Sequence, residues 1–271
     1  MLQKPDQDER PPEFVEALAK GLSILECFGA DNAEMTLSEI ARRVGLSPAA
    51  ARRSLITLKA LGFVGQTEKR FHLRPKVMSL GSAFYFSARV DEVLQPELRN
   101  FVSTFGDASS VATLVGQKVL YIAHYSEQRA RRPSAVVGAR YPAQATSLGQ
   151  VILAGLPEDR LEAFLQNMEP VALTQRTIVD KDELREVIAN VRAQHYAVTV
   201  DQLDYGITAL SVPIRGRDGQ TVAALNTSGY SGAMTADRLV EERLLPLRQA
   251  AARIAQTFQR YPVLERIIDH D

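Results

Sequence analysis

Residues that could act as metal ligands or nucleophiles are few and scattered along this sequence. The histidines are His72, His124, His195 and His270, no two of them spaced as a metal-binding pair, and Cys27 is the single cysteine. Dinucleotide, nucleotide and serine-hydrolase sites lose their usual support because G-x-G-x-x-G, Walker A and G-x-S-x-G motifs are absent. We therefore predict no catalytic residue, no metal and no cofactor. A catalytic histidine pair assembled by the fold is the alternative.

Length and composition indicate a globular protein of two domains. The chain has 271 residues and a mass of 29.9 kDa, with 45% hydrophobic and 24% charged residues, close to the averages of soluble globular proteins. Apolar stretches of about 18 residues, which could span a membrane, are absent, and the first residues lack the apolar core of a signal peptide. A single cysteine fits a reducing compartment. We expect a cytoplasmic protein without a membrane partner.

Basic residues are concentrated in one part of a chain that is neutral as a whole. Lysine plus arginine and aspartate plus glutamate both number 32, but residues 14–76 include ten basic residues and six acidic ones. A local excess of positive charge is typical of a domain that contacts nucleic acid. The preceding residues, 1–13, combine prolines with charges and have little to bury, so we predict a disordered tail.

Helix signals in the basic segment follow the order of a helix-turn-helix. A capping box begins at Thr36, and Gly45 can take the left-handed conformation that ends the helix. Ser47 caps the next helix, whose apolar residues recur at helical spacing: Ala51, Leu55 and Leu58. Two short apolar runs, 62–65 and 71–73, then flank a polar turn as strands. This order predicts a winged helix-turn-helix.

The third helix carries basic residues away from its apolar stripe. Arg52 and Arg53 lie one turn after the N-cap, where a recognition helix meets the major groove, and Lys69 and Arg70 lie at the tip of the wing. A solvated basic face on an ordinary helical bundle is the alternative. The residues predicted to contact DNA are Thr36, Ser38, Ser47, Ala49, Arg52, Arg53, Thr57, Lys69 and Arg70.

Apolar periodicity predicts helices on both sides of these elements. The first helix would bury one face formed by Phe14, Leu18, Leu22 and Leu25. Residues 75–89 are predicted to form a linker helix that carries Met78, Leu80, Phe84 and Phe86. Because this helix is more hydrophobic than a solvated linker needs to be, we expect part of it to form a dimer contact.

Beyond Gly106 the apolar pattern changes to strands mixed with helices. The predicted strands are 109–115, 119–124, 134–137, 196–200, 208–214 and 221–228. The predicted helices begin near residues 147, 161, 180 and 235. Helices at both ends of a largely antiparallel sheet predict an α+β sensor-like domain. The predicted domains are 14–74 for the winged helix, 75–89 for the linker and 90–271 for the sensor.

Several stretches of the sequence resemble one family. Residues 37–47, LSEIARRVGLS, and 55–64, LITLKALGFV, resemble the winged-helix domain of IclR-type transcriptional regulators. Residues 137–149, VGARYPAQATSLG, resemble that family's signature loop and helix, and residues 201–207, DQLDYGI, resemble its C-terminal motif. The sequence from Arg140 to Ser147 is most similar to that of the PobR/PcaU/PcaR subgroup. These proteins regulate aromatic-acid catabolism through the β-ketoadipate pathway.

The resemblance implies a function and a set of binding residues. It implies a cytoplasmic homodimer, or a dimer of dimers, whose winged helices bind a palindromic site in double-stranded promoter DNA. A small carboxylic acid bound in a GAF-like effector-binding domain would modulate that binding. Carried over to this chain, the effector-binding positions are Ser147, Leu148, Asp201, Ala209, Asn226 and Ser228.

The same region suggests how a carboxylate could be held. Thr146 and Ser147 provide hydroxyls beside the amides of a helix N-terminus, and Val111 and Ala209 could form apolar walls. An ordinary helix cap at Ser147 is the competing interpretation. Two functions stay open: a ligand-responsive transcription factor, and a small-molecule enzyme with an accessory DNA-binding domain. The basic third helix favours the first, because the second requires a nucleophile–base pair or a metal set.

Overall fold

A computed structural model describes residues 11–29, 31–127, 135–261, 265, 266 and 268. The chain divides into two compact units, Met1–Phe84 and Tyr85–Asp271. Only the last three residues of the predicted disordered tail lie within the described residues. The helix predicted over 75–89 is present as a 3-10 turn followed by α4 (Met78–Ser87), and the boundary between the units falls inside α4.

The first unit is a three-helix winged fold. Its elements before α4 are α1 (Glu16–Glu26), β1 (Glu34–Thr36), α2 (Leu37–Arg43), α3 (Pro48–Ala60), β2 (Val64–Thr67) and β3 (Arg70–Leu73). The strands form an antiparallel sheet in the order β1-β3-β2. Strand β1 was not predicted, because three residues are too few to show a period-2 pattern. The buried core includes Ile24, Met35, Ile40, Leu55 and Val64.

Local signals in the sequence set the ends of α2 and α3 as predicted. Glu39 N–H donates to Thr36 Oγ1, and Thr36 N–H donates to Glu39 Oε2 at 2.7 Å, which completes the capping box. Gly45 has φ +64°. Ser47 Oγ accepts from Ala50 N–H at 3.3 Å. These caps fix the short turn that orients α3 against α2.

The buried face of α1 differs from the prediction. Ile24 and Leu25 are buried, whereas Leu18 and Leu22 are 61% and 46% exposed. Helix α1 packs against α3 through its C-terminal half. Periodicity correctly identified a helix but not which of its apolar residues find a partner within the unit.

The second unit is built on a six-stranded antiparallel sheet in the order β6-β5-β4-β9-β8-β7. Its elements after α4 are α5 (Val90–Val93), α6 (Gln95–Phe105), β4 (Ala108–Val115), β5 (Lys118–Ser126), β6 (Arg140–Pro142), α7 (Ser147–Gly155), α8 (Glu158–Asn167), α9 (Lys181–Gln194), β7 (Ala197–Val200), β8 (Ile207–Arg215), β9 (Thr221–Tyr230) and α10 (Ala236–Arg260). The predicted α+β fold class is confirmed.

Helices α7 and α10 cover opposite faces of this sheet. Ser211 on β8 hydrogen-bonds Ser147 on α7, whereas Thr227 hydrogen-bonds Arg243 on α10. Thr227 pairs with Leu210, the neighbour of Ser211. Because successive residues of a strand point to opposite faces, the two helices must lie on different sides. The core on the α7 side also includes residues of α8 and α9.

The strand predicted at 134–137 is not formed. Ser134 lies outside the described residues, Ala135 to Val137 are irregular, and the strand beside β5 is β6, which starts at Arg140. Gly138, at φ +87°, turns the chain before β6, and its N–H donates to Tyr121 O at 2.8 Å. The apolar run at 135–137 therefore precedes the turn instead of entering the sheet.

Candidate functional sites

Helix α3 presents two unpaired arginines opposite its buried stripe. Ala51 and Leu55 are buried, whereas Arg52 and Arg53 are exposed. Neither guanidinium forms an ion pair with any of the described residues. Thr57, also exposed, donates its hydroxyl to Arg53 O at 3.2 Å. The arginine charges therefore face solvent, where an external anion can approach them.

Of the two basic residues predicted at the tip of the wing, only Lys69 lies in the turn itself. Lys69 lies in the tight turn between β2 and β3, next to Glu68 at φ +52°. Arg70 is drawn back along the sheet: its Nη1 donates to Glu34 O at 3.1 Å and lies 3.9 Å from a carboxylate oxygen of Glu39. Arg70 stabilises the β1–β3 edge as well as adding positive charge.

The remaining predicted DNA contacts lie at helix starts. Thr36 uses its hydroxyl in the capping box, and the bond from its N–H holds the pKa of the Glu39 carboxyl below its ordinary value. Ser47 uses its hydroxyl in the α3 cap. Ser38 and Ala49, in the first turns of α2 and α3, are exposed. Because the N-terminus of a helix favours anions, exposed residues at the starts of α2 and α3 are suitable positions for contacts with phosphate groups.

A cavity of about 430 Å³ lies at one end of the sheet in the second unit. Strands β4 and β8 begin there, and β5 and β9 end there. The cavity is lined by Asp107, Ala108, Ser110, Tyr121, His124, Ser126, Ala135, Asp204, Tyr205, Gly206, Ile207, Ser228, Gly229 and Tyr230. Three tyrosine rings and aliphatic groups form its walls, with serines and one histidine between them.

Two polar pairs lie at this end of the sheet. Ser110 Oγ lies 2.9 Å from His124 Nδ1, across the β4–β5 pair. Asp107 Oδ2 accepts from Arg243 Nη2 at 3.1 Å. The Asp107 carboxylate therefore has its counter-charge within the fold, on the α10 side of the sheet.

One wall of the cavity is a loop held by Asp201. This residue has φ +56°, and its Oδ1 accepts from Gly206 N–H at 2.8 Å and from Ser231 Oγ at 3.1 Å. The Thr174 hydroxyl donates to Asp201 O at 2.6 Å. Asp201 thus fixes the backbone that carries Tyr205 into the wall.

The N-terminus of α7 is buried away from the cavity lining. Thr146 Oγ1 accepts from Gly149 N–H at 2.9 Å, so Thr146 caps the helix and the interpretation of Ser147 as the cap is wrong. Ser147 Oγ instead accepts from Ser211 Oγ at 2.7 Å. Thr146, Ser147 and Leu148 are buried, and none of them lines the cavity.

Some of the predicted effector residues on the strands line the cavity, and the others are buried behind its lining. Ser228 lines the cavity. Asn226, two residues earlier, uses Oδ1 to accept from Ser110 N–H at 2.8 Å. Val111 and Ala209 are buried but do not line the cavity. The structure therefore brings Ser228 together with Ser110 and His124.

A metal-ligand cluster and a membrane-spanning helix were both looked for among the residues that the structure describes. No three of its histidine, cysteine, aspartate and glutamate side chains group as metal ligands, and none of its helices is long and apolar enough to cross a membrane. Cys27 is half-buried, and burial raises the pKa of its thiol to about 11. The thiol is therefore protonated near neutral pH and packs as a small apolar group.

The helix-turn-helix and the unit that contains the cavity both match domains of one protein family. Residues 17–68 match the IclR helix-turn-helix domain, and residues 85–256 match the model described as the bacterial transcriptional regulator IclR C-terminal. The chain belongs to the IclR family. It is therefore a transcriptional regulator with a DNA-binding domain and an effector-binding domain.

Relatives of this IclR-family chain include regulators of aromatic catabolism. It is 35% identical over 243 residues to the Pca regulon regulatory protein of Pseudomonas putida, covering 89% of this chain and 83% of that protein. It is 30% identical over 250 residues to the p-hydroxybenzoate hydroxylase transcriptional activator of Acinetobacter baylyi, covering 90% and 92%. These relatives are named as regulators, so the predicted resemblance is confirmed and the enzyme alternative has no support among them.

A solved structure agrees in fold over nearly the same extent. It is an IclR homolog from Microbacterium hydrocarbonoxydans complexed with 4-hydroxybenzoate. The TM-score is 0.72 at 25% sequence identity, and the match covers 90% of this chain and 99% of that chain. The IclR-family chain therefore shares the fold of that homolog.

Several cavity residues of the IclR-family chain were not identified from sequence. Ser110, Tyr121 and His124 lie in ordinary strand patterns, with His124 at the end of the strand predicted over 119–124. Arg243, which does not line the cavity but bonds Asp107 from α10, was not identified either. Its helical position among buried residues is a signal that could have marked it, because a buried arginine requires a partner.

Proposed function

We propose that this IclR-family regulator binds a palindromic promoter site through α3 and the wing of paired subunits. An aromatic carboxylic acid in the cavity would modulate that binding. The observation that carries the proposal is the cavity itself, which combines aromatic walls with a few convergent polar groups. Its volume of about 430 Å³ falls in the usual range for small-molecule sites. The related regulators named for Pca genes and p-hydroxybenzoate hydroxylase support the ligand class.

The predicted effector residues take two roles in this proposal. Ser228 contacts the ligand, and Val111, Thr146, Ser147, Leu148, Asp201, Ala209 and Asn226 form the layer behind the cavity. The Ser147–Ser211 bond and the Asn226–Ser110 bond support this division, because each ties a buried polar side chain to the strands that form the cavity. Asp201 acts through the loop that carries Tyr205.

The proposed assembly is a homodimer or a dimer of dimers in the cytoplasm. One winged helix reads too few base pairs for useful genomic specificity, so two must be held together. Helix α4 supports a contact between copies, because Met78 and Phe86 are each 75% exposed. Apolar side chains this exposed are expected to find a partner in the assembled protein.

The effector class is tested by calorimetric titration of the full-length protein. We expect 4-hydroxybenzoate and benzoate to bind, and pyruvate, a small acid without a ring, to bind much more weakly. Ser228→Ala should weaken binding of 4-hydroxybenzoate, and Ser103→Ala, an exposed serine on α6, is the control. Tight binding of pyruvate with no binding of either aromatic acid would overturn the proposed ligand class.

A further inference from the structure

Two tyrosine rings of the cavity lining are held in place by the fold but are left uncovered. Tyr205 is 59% exposed and Tyr230 is 53% exposed, whereas Tyr121, also in the lining, is 3% exposed. Aromatic side chains bury a large area when they pack, and they pack favourably against other rings. Tyr205 and Tyr230 therefore present apolar surface to the cavity that the chain itself does not cover.

The Tyr205 ring is fixed at both of its ends. Its hydroxyl accepts from Gln175 N–H at 3.0 Å. Its backbone belongs to the loop between β7 and β8, which is held where Thr174 Oγ1 donates to Asp201 O at 2.6 Å and Gly206 N–H donates to Asp201 Oδ1 at 2.8 Å. Because the side chain is already ordered, a ligand that packs against it immobilises little that was mobile before.

The Tyr230 ring lies against the backbone of two glycines. A Cβ on Gly206 would be 3.0 Å from Tyr230 Cε2, and a Cβ on Gly232 would be 2.6 Å from Tyr230 Cε1. Ser231 joins this turn to the β7–β8 loop, since its N–H donates to Gly206 O at 2.9 Å and its Oγ donates to Asp201 Oδ1 at 3.1 Å. The same hydrogen bonds therefore hold both tyrosines in a fixed relation to each other.

We infer that Tyr205 and Tyr230 recognise the aromatic ring of the effector by packing against it. This assignment rests on the proposed function and names the residues that select an aromatic acid over other acids. A planar ring can stack on a tyrosine face or meet it edge-on, and such pairs add affinity beyond the area that they bury. A saturated ring is puckered and lacks the π system, so it gains only the buried area. The two tyrosines should therefore discriminate an aromatic acid from an alicyclic acid of the same size.

The test compares benzoate with cyclohexanecarboxylate by calorimetry on the full-length protein. The two ligands have the same number of carbon atoms and the same charge at neutral pH, and wild type should prefer benzoate. Tyr205→Leu and Tyr230→Leu should each lower that preference by about 2- to 10-fold, the factor expected for one ring–ring contact. Replacing either tyrosine by phenylalanine keeps the ring and should keep the preference. Tyr196→Leu is the control, because Tyr196 is outside the described lining.

A fluorescence measurement tests the contact with Tyr205 independently. The chain has no tryptophan, so Tyr205→Trp places a single indole in the wall of the cavity. Benzoate should change the indole emission in a saturable way, with a midpoint equal to the calorimetric Kd of that variant. Tyr196→Trp, the matched control, should show no such change.

The outcomes separate this assignment from the proposed function. If both leucine variants fold and keep the wild-type ratio of benzoate to cyclohexanecarboxylate affinity, the assignment is wrong and the aromatic effector stands. The assignment is also wrong if wild type binds the two ligands equally, or if the phenylalanine variants lose the preference as the leucine variants do. If wild type binds neither benzoate nor 4-hydroxybenzoate, the proposed ligand class fails and the assignment fails with it. Should the leucine variants unfold, unchanged emission of Tyr205→Trp saturated with benzoate overturns the assignment.

Discussion

Arg243 is a buried residue that joins three elements of the second unit. Its guanidinium is 3% exposed and donates to Thr227 Oγ1, Phe105 O and Asp107 Oδ2, so α10, the end of α6 and the start of β4 meet at one cation. Asp107, at φ +61°, also lines the cavity. The ion pair therefore fixes the start of β4, which lies beside the cavity.

Removing this cation should destabilise the protein strongly. Arg243→Ala leaves the Asp107 carboxylate and two acceptors without their donor, and we expect a loss of about 3 kcal/mol. This is the lower end for a broken buried ion pair, because Asp107 keeps some access to water. Arg238→Ala, which removes an exposed pair with Glu242 on the same helix, should cost at most about 0.5 kcal/mol. Urea unfolding measures both, and equal midpoints for the two variants would contradict this account.

The two exposed arginines of α3 make the DNA prediction specific. Losing a bidentate contact to guanine costs about 1–3 kcal/mol and relaxes specificity at that base pair. Losing a phosphate contact weakens all sequences alike and lowers the salt slope by about one. We expect Arg52→Ala and Arg53→Ala each to show one of these signatures in fluorescence anisotropy with promoter DNA.

Lys20→Ala is the control for these substitutions. Lys20 is a basic residue of the same unit, paired with Glu16 on α1 and distant in sequence from α3. It should leave affinity and salt slope close to wild type. Wild-type binding by both arginine variants would show that α3 is not the recognition helix.

At the scale of elements, α7 is seated by close packing at its first turn. A Cβ on Gly149 would collide with the Ala143 carbonyl, so the helix approaches the preceding turn only because this residue has no side chain. Gly155, at the other end of α7, would meet Thr221 in the same way. The signature helix is therefore positioned by two glycines, one against the preceding turn and one against β9.

Substituting the first of these glycines should disturb the second unit. Gly149→Ala forces α7 outward, and we expect it to destabilise by about 1–3 kcal/mol, the usual cost of overpacking. Gly81→Ala is the matched control, because a Cβ there meets nothing within 4 Å and α4 should gain up to about 1 kcal/mol from a better helix former. Thermal unfolding measures both variants. A Tm that moves in the same direction for both would contradict this prediction.

Helices and turns whose caps and glycines lie within a few residues could be predicted from the sequence. The side-chain pairs between neighbouring strands could not. The Thr36 capping box and Gly45, the glycine that ends α2, are encoded within a few residues, and both are present. The Ser110–His124 pair depends on a bulge between Val111 and Ala112. Counting back from the hairpin turn without that bulge pairs Ser110 with Ala123. Register shifts of one residue leave no pattern in the sequence, so the cavity's polar pair could not be predicted.

For the whole molecule, the exposed apolar residues of α4 predict self-association. Phe86→Glu should weaken the dimer and lower DNA affinity together, because placing a charge in an apolar contact is unfavourable. Val179→Glu, at a half-exposed position outside α4 in the second unit, should leave the dimer intact. Sedimentation at micromolar concentration measures both. A wild-type protein that stays monomeric with DNA present would contradict the proposed assembly.

The central claim is that effector binding and DNA binding are coupled in one molecule. Thermodynamic linkage requires that the factor by which 4-hydroxybenzoate changes the DNA Kd equals the factor by which DNA changes the 4-hydroxybenzoate Kd. We therefore measure the Kd for promoter DNA by fluorescence anisotropy with and without saturating 4-hydroxybenzoate, at one salt concentration. We expect a change of about 5- to 150-fold, matched in the reciprocal titration. Saturation of the cavity with no change in the DNA Kd would contradict it.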